Sequence, residues 1–127
     1  MIASPFPQQV TFIYVQDLAA SAAFYSGLLK LPLILDQGAC QIFAVTPTAF
    51  IGCCTGPEKV NQGGLILTLV CPDLDQWHQR LVEAGTPVEH PPKYNEKYNI
   101  THFFAHDPDG HLVELQQFHD PAWPVPK

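Results

Sequence analysis

Apolar positions along the chain follow two periods, strand-like and helix-like, and their order of appearance occurs twice. Val10 to Val15 is almost wholly apolar and aromatic and predicts a strand. Asp17 then stands as a helix cap, and Leu18, Ala22, Tyr25 and Leu28 or Leu29 recur at helical spacing until Leu31-Pro32 stops the helix. Three short strands follow at about Leu33 to Asp36, Cys40 to Val45 and Ala49 to Cys54, divided by turns at Gly38 and at Thr46-Pro47-Thr48.

After a polar, Gly-rich link from Thr55 to Gly64 the grammar repeats. Leu65 to Val70 predicts a strand, Asp73 a cap, and Leu74, Trp77, Leu81 and Val82 one face of a helix closed by Gly85. A short strand near Val88 and strands at Thr101 to His106 and His111 to Gln116 complete the unit. Asp17-Leu18 and Asp73-Leu74 lie 56 residues apart, each just after an apolar strand, which marks an internal duplication. The expected fold class is α+β: two βαβββ modules, about 8–54 and 64–118, within one domain spanning 1–127. A sheet with one helix on one face leaves its other face bare, so the modules are expected to pair around a cleft.

Composition narrows the functions. Of 127 residues 46% are apolar or aromatic and 14% charged, which excludes a disordered tail. Six basic against twelve acidic residues, without a basic stripe, argue against nucleic acid or an anionic membrane as partner. No stretch is apolar for long enough to span a bilayer, and the first residues lack a basic and an apolar leader region, so the expected location is cytoplasmic. Cys40, Cys53, Cys54 and Cys71 form no CxxC pair, and reduced thiols are expected.

Two runs carry a family resemblance: Tyr14-Val15-Gln16-Asp17-Leu18-Ala19-Ala20-Ser21-Ala22-Ala23-Phe24-Tyr25, and Asp107-Pro108-Asp109-Gly110-His111-Leu112-Val113-Glu114-Leu115. With the duplication they resemble the vicinal oxygen chelate superfamily of glyoxalases, bleomycin-resistance proteins and extradiol dioxygenases. That resemblance implies the paired-module fold and a homodimer. It leaves function open, because such families hold lyases, isomerases, dioxygenases, thiol transferases and non-catalytic drug-binding proteins. It also implies one divalent metal, held by a histidine on the first strand of each module and a carboxylate on the last. The histidine positions fall seven residues before the capping aspartates, on Val10 and Ile66, and neither can ligate. Glu114 matches one carboxylate position, while Gly52 aligns with the other. One ligand of four is poor for a transition metal, so no cofactor is expected and a divalent metal, held by His102 and Glu114 with water, is the disfavoured alternative.

The turn Asp107-Pro108-Asp109-Gly110 suits a three-residue hairpin with Gly110 left-handed. Counting outward, His106 faces Leu112, Phe104 faces Glu114, and His102 faces Gln116, with apolar Phe103, Ala105, Val113 and Leu115 left for the helix side. Glu114 and His102 are the candidate catalytic residues. Phe12, Tyr14, Phe50, Cys54, Thr68, Phe104 and Gln116 are the candidate ligand-binding residues on the sheets. Tyr94 and Tyr98 join them from a lid loop over Pro91 to Asn99, where Lys93 and Lys97 could meet an anion. His102 and His106 are about 13 Å apart along one strand and cannot share an ion.

The favoured function is a metal-free small-molecule binding protein with a planar or aromatic ligand. The alternative is a divergent lyase, isomerase or dioxygenase using Glu114 with His102, with or without a metal. In the Pro-rich tail, Trp123 is expected to anchor against a partner chain.

Overall fold

The computed structural model describes residues 4–56 and 58–125. The chain divides between Gln62 and Gly63 into two units.

In the first unit, alternation along β1 (Gln9–Tyr14) buries Ile13 and leaves Phe12 and Tyr14 exposed. Asp17 caps the next element: its backbone is extended and its carboxylate accepts from the amides of Ala19 at 2.9 Å and Ala20 at 3.4 Å. α1 (Leu18–Ala22) widens without a break into a π-helical turn over Ala23–Leu28, where the Leu29 amide reaches back to the Phe24 carbonyl. The chain then forms β2 (Leu33–Asp36), β3 (Cys40–Thr46) and β4 (Ala49–Cys54). The sheet order is β1-β4-β3-β2, with β1 parallel to β4 and the other pairs antiparallel. Tyr25 and Phe43, both fully buried with ring centres 6.1 Å apart, lock the helix to the sheet.

On the opposite face of this sheet Phe12 is the register partner of Gly52. A Cβ at Gly52 would stand 2.5 Å from Cδ1 of Phe12, so the ring fills the space that a side chain would take. Gly52→Ala is expected to cost about 1 kcal/mol by pushing the ring aside. A double-mutant cycle with Phe12→Ala, read by urea unfolding, should return most of that cost as coupling.

The cysteines depart from the sequence expectation, since Cys40 and Cys54 form a disulfide. They are register partners on β3 and β4, with Cα atoms 4.1 Å apart. A hairpin centred on Pro47 places these two residues opposite each other, and that count was the available signal. Cys53 and Cys71 keep their thiols.

In the second unit, β5 (Ile66–Val70) leads into α2 (Leu74–Glu83). Asp73 precedes the helix but makes no side-chain capping bond, so its role is smaller than the sequence suggests. The helix ends as predicted, at Gly85 with φ of 79°, where the amides of Gly85 and Thr86 bond to the carbonyls of Val82 and Leu81. β7 (Ile100–His106) and β8 (Leu112–Phe118) follow the predicted register, with His102 opposite Gln116 and Phe104 opposite Glu114. Between them the Asp107 carboxylate accepts from the amides of Asp109 at 3.0 Å and His111 at 2.8 Å, and Gly110 sits at φ of 83°. Phe103, Ala105, Val113 and Leu115 are all buried on the helix side.

Two elements differ from expectation. Val88 makes only an isolated bridge to Ala105. The fourth strand is β6 (Lys93–Asn95), which pairs antiparallel with β7 inside the segment expected to be a lid. The order is therefore β5-β8-β7-β6, with β5 parallel to β8. In the tail, Trp123 stacks on Phe118 of its own chain with ring centres 3.7 Å apart. Among the described residues no helix is long and apolar enough to cross a membrane.

Candidate functional site

The face of the second sheet away from α2 carries Ile66, Thr68 and Val70 of β5, Glu114 and Gln116 of β8, and His102 and Phe104 of β7, because alternate residues share a face. An open cavity of about 550 Å³ lies there, walled by Ile66, Ile100, Phe104 and Phe118, with Asn95, His102, Glu114 and Gln116 as its polar members and Tyr98 at its edge.

Its chemistry centres on Glu114, which is buried. Oε2 lies 2.7 Å from Nδ1 of His102, and Oε1 accepts from the Thr68 hydroxyl at 2.8 Å. With its amide nitrogen turned inward, Gln116 donates to Oε1 at 3.0 Å and Oε2 at 2.8 Å. A carboxylate only accepts, so the neutral imidazole carries its proton on Nδ1 and leaves a lone pair on Nε2. That Nε2 is buried and has no hydrogen-bond partner among the described residues. An unsatisfied buried acceptor costs about 1–3 kcal/mol. The rings of Phe104 and His90 meet His102 edge-on, with centres 5.1 Å and 5.6 Å away. His90 bonds through Nδ1 to the Pro91 carbonyl at 2.8 Å.

Of the residues singled out from sequence, His102, Glu114, Phe104, Gln116 and Tyr98 line this cavity. Thr68 acts through Glu114. Tyr94 does not join them: β6 pairs it with Thr101, on the α2 side of the sheet, and its hydroxyl bonds to Asn99 at 2.9 Å. Phe12, Tyr14, Phe50 and Cys54 share the helix-free face of the first unit's sheet, where Cys54 is tied to Cys40. His106 turns to Glu89, 2.8 Å away. His90 and Asn95 were missed. Neither stands in a strand or helix that sequence pattern could reveal, although the Pro91-Pro92 pair beside His90 marks a sharp change of direction there.

The ladder settles the correspondence between modules. Val10 pairs with Phe50, two residues before Gly52, and Ile66 pairs with Leu112, two residues before Glu114. Thr68 with Glu114 thus repeats Phe12 with Gly52, and the positions where the sequence resemblance expects the other three ligands carry Val10, Ile66 and Gly52. Among the described residues no three His, Cys, Asp or Glu side chains converge. These residues do not fit the divalent metal that such a fold implies.

Cys71, just beyond β5, is half-buried, and burial pushes its thiol up to about 11, with the negative charge of Asp73 adding to the shift. Below the ordinary value of 9.0 both folded and unfolded thiols are protonated, and between 9.0 and about 11 only the unfolded one ionises, so this group lowers stability as pH rises through that window. Alkylation of Cys71 by iodoacetamide at pH 8, followed by mass spectrometry, should run about 100-fold slower in the folded chain than in urea.

The family model described as Glyoxalase/Bleomycin resistance protein/Dioxygenase superfamily matches residues 8–115. No curated protein matches the chain. Among solved structures, a glyoxalase/bleomycin resistance protein/dioxygenase from Nocardioides superposes with a TM-score of 0.75 at 16% identity, over 100% of this chain and 92% of that one. A glyoxalase-related enzyme from Fulvimarina pelagi gives 0.76 at 19% identity, covering 92% and 90%. The genomically encoded fosfomycin resistance protein FosX from Listeria monocytogenes gives 0.73 at 18%, covering 92% and 94%. At these identities the structures speak for the fold alone, and with the family match over nearly the whole chain they lead to one statement: the chain belongs to the glyoxalase/bleomycin resistance protein/dioxygenase superfamily.

Proposed function

We propose that this chain is a metal-independent small-molecule binding protein that seats a planar or aromatic ligand in the cavity over β7 and β8. The observation that carries the reading is the state of Glu114. Its two oxygens are already engaged by Thr68, His102 and Gln116, so the one surviving ligand position of the superfamily is turned inward to the protein. The apolar walls of Ile66, Ile100, Phe104 and Phe118 suit a flat hydrophobic body. Protein purified without chelator should carry less than about 0.1 equivalent of Ni, Zn, Fe or Mn by elemental analysis, because one carboxylate is far short of the three or so ligands such ions need. A stoichiometric ion overturns the reading.

The unpartnered Nε2 of His102 favours a second reading, a divergent lyase, isomerase or dioxygenase of the same superfamily in which Glu114 and His102 handle a proton. Turnover abolished in Glu114→Gln with the fold retained would select it. The chain is proposed to act as a homodimer in the cytoplasm. Exposed Leu33, Ile34 and Leu35 on the edge strand β2 support an association between chains, which light scattering in solution tests.

A further inference from the structure

We infer that His102 is the proton acceptor of the cavity, and that its ligand is a planar molecule bearing one weakly acidic hydroxyl or ring N–H that is ionised when bound. The inference rests on the small-molecule reading above and adds to it the class of the ligand.

Three observations converge on it. Nδ1 of His102 is committed to Glu114 at 2.7 Å, which fixes the tautomer and leaves Nε2 as an acceptor. His102 is 7% exposed, lines the cavity, and its Nε2 has no partner among the described residues. Glu114 is itself held by Thr68 and Gln116, so it stays in place to stabilise an imidazolium as one forms. The remaining groups around the ring are Phe104 beside it, Gln116 as its register partner on β8, Lys93 as its register partner on β6, and His90 edge-on at 5.6 Å. None of these occupies Nε2. His90 is only half-buried, and in this inference a ligand edge displaces its ring to reach Nε2.

The proton step is simple. The ligand O–H or N–H bond breaks, its electron pair stays on the ligand heteroatom, and the proton forms a new N–H bond at Nε2. Imidazolium then lies between the Glu114 carboxylate and the ligand anion, and the net charge of the site is unchanged. Apolar walls strengthen both contacts by excluding water.

The test uses 4-nitrophenol, whose phenol and phenolate forms absorb at different wavelengths, and 4-nitroanisole, a near-isostere that cannot ionise. At a pH where the free probe is mostly phenol, the wild-type protein is expected to raise the phenolate fraction of bound 4-nitrophenol about tenfold, equivalent to one unit of probe pKa. His102→Gln should return the spectrum to that of the phenol while 4-nitroanisole still binds. Glu114→Gln should do the same, because a carboxamide can donate to Nδ1 and place the imidazole proton on Nε2. It serves as the second variant if His102→Gln fails to fold. Bound 4-nitrophenol that keeps its phenol spectrum in the wild type, or its phenolate spectrum in both variants, overturns the inference and leaves the binding reading standing so long as 4-nitroanisole binds. Failure of both probes to bind overturns the inference and the binding reading together.

Discussion

Glu114→Ala is expected to lower the thermal midpoint by about 10 °C, a loss of about 3 kcal/mol for a chain of this size. The size of the effect comes from what is left behind. Truncation strands the Thr68 hydroxyl, the His102 Nδ1–H and the Gln116 amide in a cavity whose walls are apolar. Three donors lose one acceptor at once, and a buried donor without a partner costs more than a formed bond contributes. Glu114→Gln, which keeps an acceptor oxygen for Thr68, should cost about 1 kcal/mol. Calorimetric melts of the two variants separate a packed carboxylate network from a solvent-exposed side chain, for which both values would fall within about 0.5 kcal/mol of zero.

Phe103→Ala should be the most damaging single truncation in the second unit, at about 4 kcal/mol. The side chain is fully buried between β7 and α2, with the His78 ring edge-on at a centre-to-centre distance of 5.3 Å. Removing it opens a cavity that the short helix α2, anchored by Leu74 and Leu81, can close only in part. Phe103→Leu retains most of the volume and should cost about 1.5 kcal/mol or less. Urea unfolding checks both values. A loss below about 1 kcal/mol for the alanine variant would mean that helix and sheet are less interdependent than their packing implies.

What the chain discloses about itself depends on whether the governing interaction is local. The β7–β8 register could be counted from the Asp107-Pro108-Asp109-Gly110 turn because a three-residue hairpin leaves no freedom of slip, and that register places His102 and Glu114 on one face. The helix that Asp17 caps in the first unit and the one closed by Gly85 in the second were equally readable, since caps and stops act within a few residues. Strand β6 was not. Lys93-Tyr94-Asn95 has neither apolar alternation nor β-branching, and it exists because β7 offers it an edge. The same dependence on a neighbour hid the placement of Tyr94 beside Thr101. The disulfide required two strand ends to be set against each other, a step beyond reading each cysteine in its own surroundings. His90 approaches His102 from an irregular segment whose path no periodicity describes.

The ring of Phe12 lying over Gly52 makes the two halves of the duplication hard to interconvert by single substitutions. A glutamate introduced at 52 would meet an aromatic face where Glu114 meets the hydroxyl of Thr68, and a threonine at 12 alone would look onto a bare backbone. A twin of the Thr68–Glu114 pair therefore needs both exchanges, and either one alone leaves its new side chain without the partner that Glu114 and Thr68 find in each other.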